Sequence, residues 1–186
     1  MGANYKPFVV QAGKRMGYGQ VEPNHLSAQR TGQIYAQLPA ASTITQLENG
    51  EFVKYDYANG VVNKTGAGEW MMVFNEIKLY DEREQMTKDY AQGVNGDQVV
   101  PRVVKTNIGD IITTNTLDEA SKDNYSYTDI DTTGDYYVIN ADGFLEAASA
   151  IPADGSMCFQ KAKVEVVGSA TTLPDGQPAV KLQRIQ

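Results

Sequence analysis

The chain has 186 residues, 41% hydrophobic and 21% charged, with a mean hydropathy of −0.40 and a net charge of −7. That suits one folded domain, or a domain with an extended arm, and not a disordered polymer. One cysteine, Cys158, and one histidine, His25, exclude an intrachain disulfide and a cysteine-built metal cage. No apolar run approaches the ~18–20 residues of a membrane span, and Met1–Pro7 lacks the apolar core of a secretory signal.

The charge is unevenly spread. Residues 1–40 hold Lys6, Lys14, Arg15 and Arg30 against Glu22 alone, a balance of +3, whereas residues 41–186 carry −10. An acidic body argues against nucleic acid as the partner, because phosphate binding needs a basic surface. The basic head suits an acidic neighbouring subunit, or is simply a loosely ordered polar arm.

The first 40 residues carry Pro7, Gly13, Gly17, Gly19 and Pro23 and keep no helical period. Phe8-Val9-Val10 suits one short strand, and the remainder reads as an arm that gains order from a partner, with a disordered tail as the plain alternative. From Ile44 the pattern changes. Thr43–Leu47 alternates, Asn49-Gly50 marks a turn, and Glu51–Tyr57 starts a strand. Asn59-Gly60 marks a second turn, since the type I′ geometry needs positive φ at both central residues. Glu69–Phe74 is a nearly continuous apolar run, as expected of a strand covered on both faces.

The spacing of Leu79, Met86 and Tyr90 predicts a short helix over Leu79–Tyr90, with Asp81 and Glu84 in its first turn. Strand-like segments follow at Val99–Lys105, Asp110–Asn115, Tyr136–Asn140, Phe144–Leu145 and Ala162–Val167. Ala141-Asp142-Gly143 is a turn, and Pro174-Asp175-Gly176 joins the last two runs in a hairpin. Many short strands between such turns predict a mainly β chain: an antiparallel β-barrel or sandwich with one short helix and an extended N-terminal arm. The expected division is an arm over 1–40 and a β-rich domain over 41–186.

No catalytic constellation emerges, and no cofactor is expected. Gly13-Lys14-Arg15-Met16-Gly17 lacks the strand and helix that frame a phosphate loop. His25 lies in a polar loop in the least structured part of the chain, and a pairing with Cys158 has no supporting context. Asp81, Glu82 and Glu84 read as a solvated face. Asp129–Asp135 alternates carboxylates that suit a hard cation, but without a closing glutamate a polar loop is the simpler reading. Cys158, in an apolar patch, and Trp70, in an apolar run, read as core. Tyr125, Tyr127, Tyr136 and Tyr137 read as sheet packing first, and as a sugar- or protein-binding surface second.

Leu47-Glu48-Asn49-Gly50 with Phe52-Val53, then Glu69–Val73, then Leu79–Glu82, resembles a pattern in small structural proteins of tailed phages. Thr172–Leu182 fits the same impression. These are the capsid decoration, cement or head-fibre proteins, and the resemblance covers residues 44–90 and the C-terminal hairpin. It implies a non-enzymatic virion protein, made in the host cytoplasm, that binds the major capsid protein on the outside of the shell and stabilises it. A homo-oligomer is expected, and a trimer suits a local three-fold. In that role residues 1–40 make the contact, through Lys6, Phe8, Lys14, Arg15, Tyr18 and Arg30, and deleting residues 1–35 leaves the body folded. The alternatives are a shell, tail or connector component, and a carbohydrate- or cell-surface-binding β module.

Overall fold

The computed structural model describes residues 21–27, 38–44, 46–74, 100–118, 134–162 and 178–186, and the backbone of short strands at 9–10, 15–16, 34–35, 87–89, 125–126 and 171–172. In chain order the strands are β1 (Val9–Val10), β2 (Arg15–Met16), β3 (Val21–His25), β4 (Ile34–Tyr35), β5 (Gln46–Glu48) and β6 (Phe52–Asp56). Then come β7 (Val61–Asn63), β8 (Trp70–Val73), β9 (Thr87–Asp89), β10 (Val103–Val104), β11 (Ile111–Thr114) and β12 (Tyr125–Ser126). The last are β13 (Tyr136–Ile139), β14 (Leu145–Ala148), β15 (Cys158–Lys161), β16 (Thr171–Thr172) and β17 (Pro178–Arg184). Among the described residues no helix is long and apolar enough to cross a membrane.

Two sheets form the body. The smaller has the order β4-β10-β8-β6-β7, and the larger β14-β13-β15-β17-β11-β3, with β16 paired to β17. All their ladders are antiparallel. Neither sheet closes on itself, so of the two expected architectures the sandwich is the one formed.

Alternation decides which side chains meet. On β6, β8 and β10, Phe52, Met72 and Val104 face the larger sheet and join Ile112, Tyr137, Leu145, Phe159 and Leu182 in one core. The Phe52 and Phe159 rings meet across the gap, tilted, with centroids 5.7 Å apart. The alternate residues Val53, Tyr55, Met71, Val73 and Val103 face the other way, into a second core with Ile44, Leu47 and Val62. The middle of the smaller sheet is thus covered on both faces, which is why Glu69–Phe74 reads as an apolar run. Each fully buried Phe or Leu of this kind contributes about 1.5–3 kcal/mol.

The turns follow their signals. Asp56↔Val61 closes the β6–β7 hairpin, with Gly60 at φ +66°. Ile139↔Leu145 closes β13–β14, with Gly143 at φ +81°. Thr172↔Pro178 brackets the Pro174-Asp175-Gly176 hairpin. Asn49-Gly50 is a turn but not a hairpin: β5 pairs with β9, and β6 pairs with β7 and β8. Gly50, at φ +90°, packs against the side chains of Thr114 and Thr116, and Thr116 Oγ1 donates to the Asn49 carbonyl at 2.7 Å.

Three sheet edges are blocked. Beside β7, Val62 N donates to Pro39 O and Ala41 N to Val62 O, both at 2.9 Å. Beside β14, Leu117 bridges Leu145. On β3, Pro23 withholds a donor, and the register shifts between Ile111 and Ile112. Such devices prevent edge-to-edge association.

Two expectations are revised. Residues 21–27, expected in the arm, belong to the body: β3 pairs along β11, and Val21 and Leu26 are buried in the main core. After β3, the carboxylate of buried Asp110 accepts from Ser27 N (2.8 Å), Ser27 Oγ (3.1 Å) and Asn107 N (2.8 Å). Polar composition concealed this strand because it lies at an edge, with only Val21 of its five residues buried. In the expected helix, Thr87–Asp89 is strand β9, registered Leu47↔Lys88 on β5. Its backbone groups pair with a strand that already buries Leu47, which outweighs three apolar residues at helical spacing. The rest of 79–90 lies outside the described residues.

Candidate functional site

The largest exposed apolar side chains among the described residues are Tyr57 (72% exposed), Ile108 (71%), Ile151 (46%) and Val100 (36%). Three of these four lie on loops linked by one chain of contacts. Tyr57 follows β6 at the hairpin tip, its ring 5.4 Å from that of Tyr55. The Tyr55 carbonyl lies against Gly68, so Glu69 stands at the same end of the smaller sheet. Glu69 Oε2 is 2.7 Å from Lys105 Nζ, and Glu69 Oε1 is 3.3 Å from Arg184 Nη2.

Arg184 ties the remaining loops to this point. Its backbone carbonyl accepts from Gly109 N at 2.8 Å, which fixes the turn carrying Ile108. Its guanidinium donates to the Thr106 carbonyl and to Thr106 Oγ1 (3.2 Å), and its Nε to Gln186 O (3.0 Å). Gln186 Nε2 donates to Pro152 O at 3.3 Å, beside Ile151. At one end of the sandwich, therefore, the loops carrying three apolar side chains are linked through an ion-paired centre.

The tips are held by local bonds. Asp56 accepts from Asn59 N (3.1 Å), Asn59 Nδ2 (2.7 Å) and Asn63 Nδ2 (3.2 Å). Those bonds, led by the Asn59 side chain, hold its carboxyl below the usual value. Asp154, in the loop after Ile151, accepts from Ser156 N at 3.0 Å and is lowered by that bond. Lys54 Nζ lies 4.4 Å over the half-buried Trp70 ring. By strand register the β13–β14 turn leaves the larger sheet at the same end as Arg184, and there Asn140 Nδ2 donates to Asp118 Oδ1 at 2.5 Å.

The contact residues read from sequence are not brought to this end by any described element. Lys6, Phe8, Lys14, Tyr18 and Arg30 lie outside the described residues, and Arg15 is placed only by its backbone, paired with Val10 and Tyr125. Cys158 is fully buried, and burial pushes its thiol up. His25 is exposed at the end of β3. Tyr137 is a core residue, whereas Tyr136 is half-buried on the opposite face of β13. Tyr125 is placed by its backbone alone, and Tyr127 lies outside the described residues, as do Asp81, Glu82, Glu84 and Asp129–Asp131. Among the described residues no group of three potential metal ligands gathers.

Sequence reasoning missed Tyr57, Ile108 and Ile151, although a signal was present. Each sits where a turn motif calls for polar residues: Tyr57 before Ala58-Asn59-Gly60, Ile108 between Asn107 and Gly109, Ile151 before Pro152. An apolar residue inside a turn signal has no core to enter. Comparison with protein-family models, with curated proteins and with solved structures returns no match.

Proposed function

We propose that this chain is a virion structural protein of a tailed phage that binds the outer surface of the capsid and stabilises the shell. The observation that carries the reading is the charge division. With β3 assigned to the body, residues 1–20 still hold Lys6, Lys14 and Arg15 with no acid, +3, and residues 21–186 hold −10. A short basic segment on an acidic two-sheet body suits a repeating acidic surface, where many weak contacts add through avidity. The resemblance of residues 44–90 and of the last hairpin to decoration and cement proteins points the same way, and blocked sheet edges let copies crowd without pairing strand to strand.

The test is to mix purified protein with shells assembled without it and image them by electron cryomicroscopy. Regular added density on the outer surface is the expected result, together with weakened binding on deleting residues 1–18. Bare shells, with the protein alone forming rings or tubes, would replace this reading by a shell, tail or connector component.

A further inference from the structure

Asparagine followed by glycine is a chemically labile pair, because glycine has no side chain to shield its backbone nitrogen from the asparagine carboxamide. Among the described residues this pair occurs at Asn49-Gly50 and Asn59-Gly60; Asn24, Asn63, Asn107, Asn115 and Asn140 each precede a residue with a side chain. The fold separates the two pairs. Asn49 is 2% exposed, Gly50 N donates to Val73 O at 2.9 Å, and the side chains of Thr114 and Thr116 close over Gly50. Asn59 is exposed at the β6–β7 tip, and nothing lies within 4 Å of where a Gly60 Cβ would stand. We propose that Asn59 is a site of spontaneous deamidation, that Asp56 restrains the reaction, and that its product is a one-way switch that loosens the hairpin tip.

The reaction needs only this chain and water, so it is independent of the function proposed above. Gly60 N attacks Asn59 Cγ; that C–N bond forms as the Cγ–Nδ2 bond breaks, and ammonia leaves with the Gly60 amide proton. Water then opens the five-membered imide at either carbonyl, with no oxidation or reduction. One opening gives aspartate at position 59, and the other gives isoaspartate, whose main chain runs through Cβ. Asp56 opposes the first step. Its carboxylate accepts from Asn59 Nδ2 at 2.7 Å and from Asn59 N at 3.1 Å, so the carboxamide turns onto Gly60 N only by giving up that anchor. Both products lack the Nδ2–H donor and set a second carboxylate against Asp56, where like charges repel. Isoaspartate also lengthens the main chain of the loop that the Asp56↔Val61 pair closes. The side-chain bond that fixed the tip is gone in both, and the hydrolysis does not run back.

The experiment ages the full chain at mildly alkaline pH, folded and in urea, and follows the peptides covering residues 49 and 59 by mass spectrometry. Folded wild type should lose the amide at Asn59 at least about tenfold faster than at Asn49, since a surface tip opens at far lower cost than the core. In urea the two rates should converge. Asp56→Ala should accelerate the loss at Asn59 and leave Asn49 unchanged, which also shows that the variant is folded. The aged species altered at residue 59 alone, isolated by ion exchange, should show faster amide exchange at residues 57–61 and unchanged exchange elsewhere. Matching rates at Asn49 and Asn59 in the folded protein, or a folded Asn59 that keeps its amide, overturn the site. A gap that persists undiminished in urea overturns the fold as its cause. An unchanged rate in Asp56→Ala overturns the restraint, and unchanged exchange at the tip overturns the switch.

Discussion

Arg184 Nη2 lies 3.3 Å from Glu69 Oε1, a pair 115 positions apart in sequence that joins the last strand of the larger sheet to the entry of β8 in the smaller. The two residues are unequal partners. Arg184 is the more enclosed, its side chain 12% exposed against 40% for Glu69, and it also serves the buried Thr106 carbonyl. Arg184→Ala should therefore cost about 1–3 kcal/mol by leaving that acceptor unsatisfied. Glu69→Gln, which removes a half-exposed ion pair, should cost under about 1 kcal/mol. Urea unfolding of both variants checks the order; equal losses would show that the ion pair, not the buried carbonyl, is what Arg184 supports.

Two glycines with positive φ should respond differently to the same change. At Gly143 a Cβ would collide with the Phe52 carbonyl oxygen, which lies there because Phe52 N donates to Gly143 O at 2.8 Å. At Gly60 nothing lies within 4 Å of that position. Gly60→Ala should cost about 1 kcal/mol for the backbone conformation alone, and Gly143→Ala about 3 kcal/mol or more. Chemical denaturation would refute this if the two losses were alike.

Truncation distinguishes a tail from a strand. Removing residues 1–18 should leave a cooperative unfolding transition, because β3 and the Asp110–Ser27 bonds remain. Removing residues 1–35 deletes β3 with buried Val21 and Leu26. That should lower stability by several kcal/mol, about 2–5 for the leucine-sized void alone, and expose β11 as a new edge. Circular dichroism melts of the two truncations decide the point, and a wild-type melt for the longer deletion would refute it.

The Cys158 thiol should resist alkylation in the folded protein and react at once on unfolding, since it is fully buried and burial disfavours the thiolate. The linkage sign follows. The native state holds this proton more tightly than the unfolded chain, so the contribution is complete below the unfolded value of about 8.5 and is lost as pH rises through the higher folded one. Stability should fall on the alkaline side, less steeply in Cys158→Ala. Identical slopes in the two proteins above pH of about 9 would contradict the assignment.

Asp56 carries the opposite sign. Bonds from Asn59 and Asn63 favour the charged form and lower its pKa, so its support for the hairpin tip is present above the unfolded value of about 3.9 and is lost as pH falls through the lower folded one. Amide exchange at Asn59 should accelerate below that pH, and at neutral pH in Asp56→Ala. Unchanged Asn59 exchange in the variant would show that the turn holds without the carboxylate.

Local chemistry determined much of this protein in the sequence alone. Asn59-Gly60, Asp142-Gly143 and Pro174-Asp175-Gly176 mark turns because few residues tolerate their backbone angles, and alternation between them marks strands, since both are short-range effects. The double-sided apolar run at 70–73 even announced a strand with two cores. Tertiary structure decided what depends on partners distant in the chain. Polar β3 is a strand because β11 pairs with it, Thr87–Asp89 is extended because β5 pairs with it, and Asn49-Gly50 turns against Thr114 and Thr116 instead of closing a hairpin. The candidate site is of that second kind. Tyr57, Ile108 and Ile151 are unremarkable singly, and their loops are related only through the contacts of Arg184 with Glu69, Gly109 and Gln186, the longest spanning 115 positions, which no local pattern encodes.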